Sequence, residues 1–188
     1  LGNEPIDHNY VQVFQFDRYP SLADTSTGAI TRYFGKKYSD SWYYVDENSQ
    51  KVTGHKTIDN VKVYFDKDGK QAKGIVADDG YYYDKNTGEL VKGRYFTSRG
   101  KWFYADKQGN ILKGAHTIDG VPVYFDDHLG TQFKNVVKNG HYYDKDTGEQ
   151  KEVPRNQFVH VDNGLFYYDK DGKPLSDSQT INGVTYSC

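Results

Sequence analysis

Seven aspartates stand directly behind aromatic pairs, or one residue further on, at positions 46, 66, 84, 106, 126, 144 and 169 of this 188-residue chain. Carboxylates recurring in this way could bind a hard cation, act as a catalytic pair, or hold turns by accepting backbone N–H groups. Asp66-Lys-Asp68-Gly and Asp169-Lys-Asp171-Gly look like the opening of a calcium loop. An EF-hand loop, however, places Gly sixth and a bidentate Glu twelfth, whereas these stretches have Gly fourth and no such Glu. Asx turns between strands are the better reading. No metal or cofactor is expected.

Catalysis would require a convergent nucleophile, base and orienting group, or two carboxylates across a cleft. The six histidines (8, 55, 116, 128, 141 and 160) are dispersed, no Gly-x-Ser-x-Gly occurs, and the aspartates repeat. An active site is normally built once, so the fragment itself reads as non-catalytic. A formal net charge of -2 with scattered Lys and Arg offers no basic stripe, which argues against nucleic acid as a partner. Apolar runs fall far short of the ~20 residues that span a bilayer, so no membrane partner is expected. Cys188 stands alone, which excludes an internal disulfide framework, and it reads as an end residue rather than a functional thiol. A monomer is expected.

The elements that would carry these residues are β-hairpins. Thr57-Ile-Asp-Asn-Val-Lys-Val-Tyr-Phe-Asp66 returns as Thr117-Ile-Asp-Gly-Val-Pro-Val-Tyr-Phe-Asp126, and a third copy opens at Thr180-Ile-Asn-Gly-Val184. Asp59-Asn60 and Asp119-Gly120 suit a two-residue type I′ turn, and β-branched and aromatic residues follow. Asp79-Gly80, Arg99-Gly100, Asn139-Gly140 and Asn163-Gly164 are further hairpin signals. No sustained helical period appears. Residues 42–89 superpose on 102–149, matching Trp42 with Trp102 and Tyr82-Tyr-Asp84 with Tyr142-Tyr-Asp144. Asp24 falls in the same register.

The spacing predicts an all-β solenoid of stacked hairpins over residues 21–188, with rungs of about 20 residues grouped in triplets of about 60. Eighteen tyrosines suit many small local cores rather than one oily interior. Residues 1–20 contain a strand-like segment, Tyr10–Phe16, read as part of a neighbouring domain or a cap, with a degenerate first repeat as the alternative. The chain starts at Leu1 without a signal peptide and stops within a repeat, so a piece of a longer protein is expected.

The aromatic rungs, the Thr-Ile-Asp-Gly-Val hairpins, Asp-Lys-Asp-Gly-Lys-Gln-Ala-Lys-Gly (66–74) and Asp-Lys-Asn-Thr-Gly-Glu-Leu (84–90) together resemble the glucan-binding repeats of bacterial glucansucrases. The resemblance covers about residues 21–186. More distantly the chain is similar to choline-binding repeats and to clostridial toxin repeats. The resemblance implies a solenoid outside the catalytic domain, a secreted or cell-surface Gram-positive setting, and binding of α-glucan such as dextran or an isomalto-oligosaccharide.

It further implies sugar pockets made by a stacking Tyr and a Gln-x-Lys pair, a pattern that Gln71-Ala-Lys73 and Gln132-Phe-Lys134 fit. Tyr33 and Tyr95, both in Arg-Tyr-Phe contexts, are the candidate platforms. A pyranose has an apolar C–H face that can lie on a ring, and hydroxyls that need partners once desolvated. In the second copy an extra residue in Asp127-His-Leu-Gly130 is expected to shift the pair by one, and Asn135 replaces Gly74. Lys173-Pro-Leu175 stands where a third pair would be, so no site is assigned there. The alternatives are a structural spacer, a cell-surface or protein-interaction module, and a choline site, for which only Trp42 and Trp102 could supply cage tryptophans.

Overall fold

The structure, a computed structural model, describes residues 10–16, 37–44, 46, 50–175 and 179–186. Tyr33, Asp24 and Cys188 lie outside the described residues. Among the described residues there is no helix, and the strands form small antiparallel sheets, all two-stranded except one of three strands. The chain divides into two compact units, residues 1–98 with 105–111, and residues 99–104 with 112–188.

In the first unit β1 (Tyr10–Phe16) pairs antiparallel with β2 (Lys37–Tyr44), with Gln12 opposite Trp42. Tyr10–Phe16 is thus paired with the strand that carries Trp42. β3 (Gly54–Ile58) and β4 (Val61–Phe65) form the next hairpin, β5 (Ile75–Val76) and β6 (Tyr82–Tyr83) the one after, and β7 (Arg94–Ser98) follows.

The second unit opens in β8 (Lys101–Ala105), whose last residue falls in the first unit. It continues with the hairpin of β9 (Gly114–Ile118) and β10 (Val121–Phe125). A three-stranded sheet follows, made of β11 (Val136–Lys138), β12 (His141–Tyr143) and β13 (Gln150–Glu152). The last two hairpins are β14 (Gln157–Val161) with β15 (Gly164–Tyr168), and β16 (Gln179–Ile181) with β17 (Val184–Tyr186).

The turn chemistry explains most of these hairpins. Both corner residues of Asp59-Asn60, Arg99-Gly100, Asp119-Gly120, Asn139-Gly140 and Asn182-Gly183 have φ between 51° and 78°. These are the left-handed corners of a type I′ turn. Two expected turns differ. Asp79 does not take a positive φ; Ala77 and Tyr81 close a three-residue loop in which Gly80 alone is left-handed, at 86°. The Asp79 carboxylate explains this, because it accepts from Tyr81 N and from the Tyr83 hydroxyl inside the loop. At Asn163-Gly164 the turn residues are Asp162 and Asn163, and Gly164 pairs with Val161 as the first residue of β15. Asp162 is tied down there, donating its N–H to Asn135 O and accepting from Asn135 Nδ2.

The recurring aspartates are Asx turns. Asp66 Oδ1 accepts from Asp68 N and Lys70 N, Asp84 Oδ1 from Asn86 N and Thr87 N, and Asp144 Oδ2 from Asp146 N and Thr147 N. After the Asp66 and Asp126 loops the chain returns and pairs once with the strand before it, Phe65 with Gln71 and Phe125 with Gln132. Among the described residues the one just before the aspartate is buried: Phe65, Tyr83, Ala105, Phe125, Tyr143 and Tyr168. Alternation along the strand then leaves Tyr64 and Tyr124 half-buried on the opposite face, where they can border a pocket.

Candidate functional site

The two Gln-x-Lys pairs occupy matched places, one in each unit. Gln71 N donates to Trp42 O at 2.8 Å, and Gln132 N donates to Trp102 O at 2.8 Å. Two residues on, Lys73 Nζ lies 4.6 Å from the centroid of the Trp42 ring, and Lys134 Nζ lies 4.6 Å from that of Trp102. The expected one-residue shift of the second pair does not occur. The extra residue is taken up inside the loop, where Asp126 N donates to Thr131 O, whereas the shorter first loop closes from Asp66 N to Lys70 O. The hairpin that follows loses a residue in compensation, turning through Asn139-Gly140 instead of Asp78-Asp79-Gly80.

Each pair also reaches the next Asx loop. Lys73 Nζ donates to Asn86 O at 3.4 Å, and Lys134 Nζ donates to Asp146 O at 2.9 Å. Gln132 Nε2 donates to Thr147 O at 3.2 Å. The Gln71 amide has no such bond: its nitrogen and oxygen are both buried and unpartnered, as is Gln132 Oε1. Glycine is required beside both amides, because a Cβ on Gly88 or Gly148 would stand 2.9 Å from the Gln71 or Gln132 Cδ. Burial lowers the pKa of both Lys73 and Lys134, with nearby aspartates opposing the shift.

In the first unit these groups border an open cavity of about 470 Å³, whose lining includes Trp42, Tyr64, Gln71, Ala72, Lys73 and Asp78. It offers ring edges and faces, an ammonium and a carboxylate within one concave surface, a mixture that suits a polyhydroxylated ring, while the polar atoms of the Gln71 amide are buried against Gly88. The Tyr64 hydroxyl is pushed up to about 12, first by its hydrogen bond to the Asp78 carboxylate and then by burial.

Of the residues picked out by sequence, Gln71 and Lys73 come together, as do Gln132 and Lys134. Tyr33 lies outside the described residues. Tyr95 is half-buried in β7 and belongs to the first unit, while Gln132 and Lys134 belong to the second. Sequence reasoning missed Trp42 and Trp102 as partners of the lysines, and Tyr64 and Asp78 as cavity walls. The signal for the tryptophans was available in their common register across the two copies.

Comparison with known proteins sets this geometry in a family context. A family model described as a choline-binding repeat matches residues 52–95. The chain is 35% identical over 154 residues to glucosyltransferase-I of Streptococcus downei, a match covering 77% of this chain and 9% of that protein. It is 37% identical over 147 residues to glucosyltransferase-S of the same organism, covering 73% of this chain and 10% of the relative. The chain thus spans about a tenth of the length of these curated relatives. Its fold is that of choline-binding protein F of Streptococcus pneumoniae, solved in complex with ipratropium, at a TM-score of 0.54 and 21% identity, with 89% of this chain and 48% of that one covered.

The chain is accordingly an all-β domain of aromatic hairpin repeats, similar to choline-binding repeats and to part of streptococcal glucosyltransferases. Within that class, its similarity over most of its length is to a short part of streptococcal glucosyltransferases.

Proposed function

We propose that this chain is a non-catalytic carbohydrate-binding module, a solenoid of stacked hairpins that holds α-glucan of the dextran type for a secreted or cell-surface glucosyltransferase. The observation that carries the reading is the unpartnered, buried amide of Gln71 beside the partly desolvated Lys73, both bordering an open cavity. Leaving a buried amide unpaired costs about 1–3 kcal/mol, and once the amide turns from Gly88 toward the cavity a sugar hydroxyl, at once donor and acceptor, would supply the missing bonds. Tyr33 and Tyr95 remain proposed stacking platforms. The relatives' name, glucosyltransferase, and the small share of their length that is matched support a binding role within such an enzyme.

Choline is the second reading, favoured by the family match over 52–95 and by the shared fold. A quaternary ammonium would need the faces of Trp42 or Trp102. Lys73 and Lys134 already place a positive charge there, so a second cation meets like-charge repulsion. Affinity electrophoresis separates the two readings. Migration of the chain should be retarded in gels containing dextran and unchanged by free choline; retardation only in gels bearing immobilised choline would overturn the glucan reading.

A further inference from the structure

The two matched pockets differ at the residue between Gln and Lys. Ala72 N donates to Tyr64 O at 2.9 Å, and Phe133 N donates to Tyr124 O at 2.9 Å, so Ala72 and Phe133 hold one backbone position in the two copies. In the first copy the side chain ends at Cβ, and the cavity beside it reaches Tyr64 and Asp78. In the second, the Phe133 ring lies stacked on Tyr124, with centroids 4.9 Å apart and planes inclined by 24°. Tyr143 meets the same ring edge-on at 5.4 Å, and Lys138 Nζ lies 5.3 Å from its centroid. Lys138 pairs with His141 as Ala77 faces Tyr81, so Lys138 holds the backbone position of Ala77 and places a cation over the inserted ring where the first pocket has a methyl group.

We propose that Phe133 is a built-in plug, an intramolecular occupant of the Tyr124 face, and that the corresponding Tyr64 face, flanked by Asp78, is where a sugar ring lies in the first pocket. Offset stacking at such a separation is the arrangement that an aromatic face makes with another flat apolar surface, whether a ring or the C–H side of a pyranose. Phe133 therefore covers from within the chain the surface that corresponds to the cavity side of Tyr64, whose ring elsewhere stacks on Tyr83 and meets His55. The Tyr64 hydroxyl and the Asp78 carboxylate then meet sugar hydroxyls across the cavity from Lys73. Gln132 and Lys134, meanwhile, spend bonds on Thr147 and Asp146 and hold the closed pocket's loop.

This inference rests on the carbohydrate reading, and the chain carries a separate reporter for each. Its two tryptophans, Trp42 and Trp102, stand one at each pocket. With Trp42→Phe as background, Trp102 is the single emitter at the second pocket; with Trp102→Phe, Trp42 reports the first. Titration with isomaltotriose should give a saturable Trp42 response in the otherwise unaltered chain. Trp102 should respond weakly until Phe133→Ala is added, whereupon affinity at the second pocket should rise at least about tenfold. Phe133→Ala combined with Lys138→Ala, which transplants Ala72 and Ala77 of the first pocket, repeats the test should the single change disturb folding. Tyr64→Ala should abolish the Trp42 response while Tyr124→Ala leaves it intact.

A Trp42 response together with a Trp102 signal indifferent to both second-pocket variants would overturn the plug and leave the carbohydrate reading standing. No Trp42 response at any isomaltotriose concentration would overturn both.

Discussion

The side-chain amide of Gln71 lies where a Cβ on Gly88 would have to be, and Gln132 bears the same relation to Gly148. Each contact closes an Asx loop over a Gln-x-Lys pair, so loop and pocket are one construction. Gly88 also has a φ of +73°, which L side chains adopt at a cost. Gly88→Ala should therefore destabilise the chain by roughly 1–3 kcal/mol in urea unfolding. Adding Gln71→Ala should recover part of that loss by removing the clash while the backbone strain persists. A Gly88→Ala chain as stable as the parent would show that the amide is not held against the loop.

The hairpins keep their places through the inward residue before each aspartate. Phe65 and Phe125 are both 0% exposed, so replacing either by Ala should cost about 3–5 kcal/mol. Ile75, exposed on β5, should tolerate Ser within about 0.5 kcal/mol. Thermal melts of the three variants check the contrast; equal melting temperatures would contradict local cores centred on these rings.

Acid should loosen the loops. The Asp144 carboxyl is held well below the usual range, chiefly by the backbone N–H of Thr147, then by that of Asp146 and by Lys151. Asp126 and Asp169 are lowered in the same way, first by the N–H groups of Leu129 and Lys173. A folded pKa below the unfolded value of about 3.9 gives stability that is complete above that value and lost as pH falls through the folded one. Melting temperature should thus be insensitive to these groups near neutrality and decline below about pH 4. Asp144→Ala should lower it near neutrality and flatten part of the acid decline, as a melting series across pH would reveal.

Much of this architecture was legible because local chemistry and global pattern agree. Asp59-Asn60 and Asp119-Gly120 sit between β-branched runs, and the left-handed corners they favour are the corners observed. Asp79-Gly80 misled because a dipeptide signal cannot show that the Asp79 carboxylate is engaged by Tyr81 and Tyr83. The extra residue near His128 seemed to displace Gln132, yet loop and hairpin lengths compensate over a distance that no local reading spans. Of the pocket, Gln71 and Lys73 were reached through the Gln-x-Lys pattern that the family resemblance implies. Trp42 was not, because its relation to Lys73 arises when the strand carrying it pairs, through its carbonyl, with a residue far along the chain.

Calorimetric titration with isomaltotriose, comparing the parent with two double variants, tests the account most directly. Gln71→Ala with Lys73→Ala removes both polar groups from the open cavity, a loss worth roughly 1–3 kcal/mol, or about five- to hundred-fold in affinity. Gln132→Ala with Lys134→Ala should leave affinity within about twofold of the parent, since that pocket is filled by Phe133. A first double variant that folds and binds isomaltotriose like the parent would contradict the assignment of Gln71 and Lys73 as the binding groups.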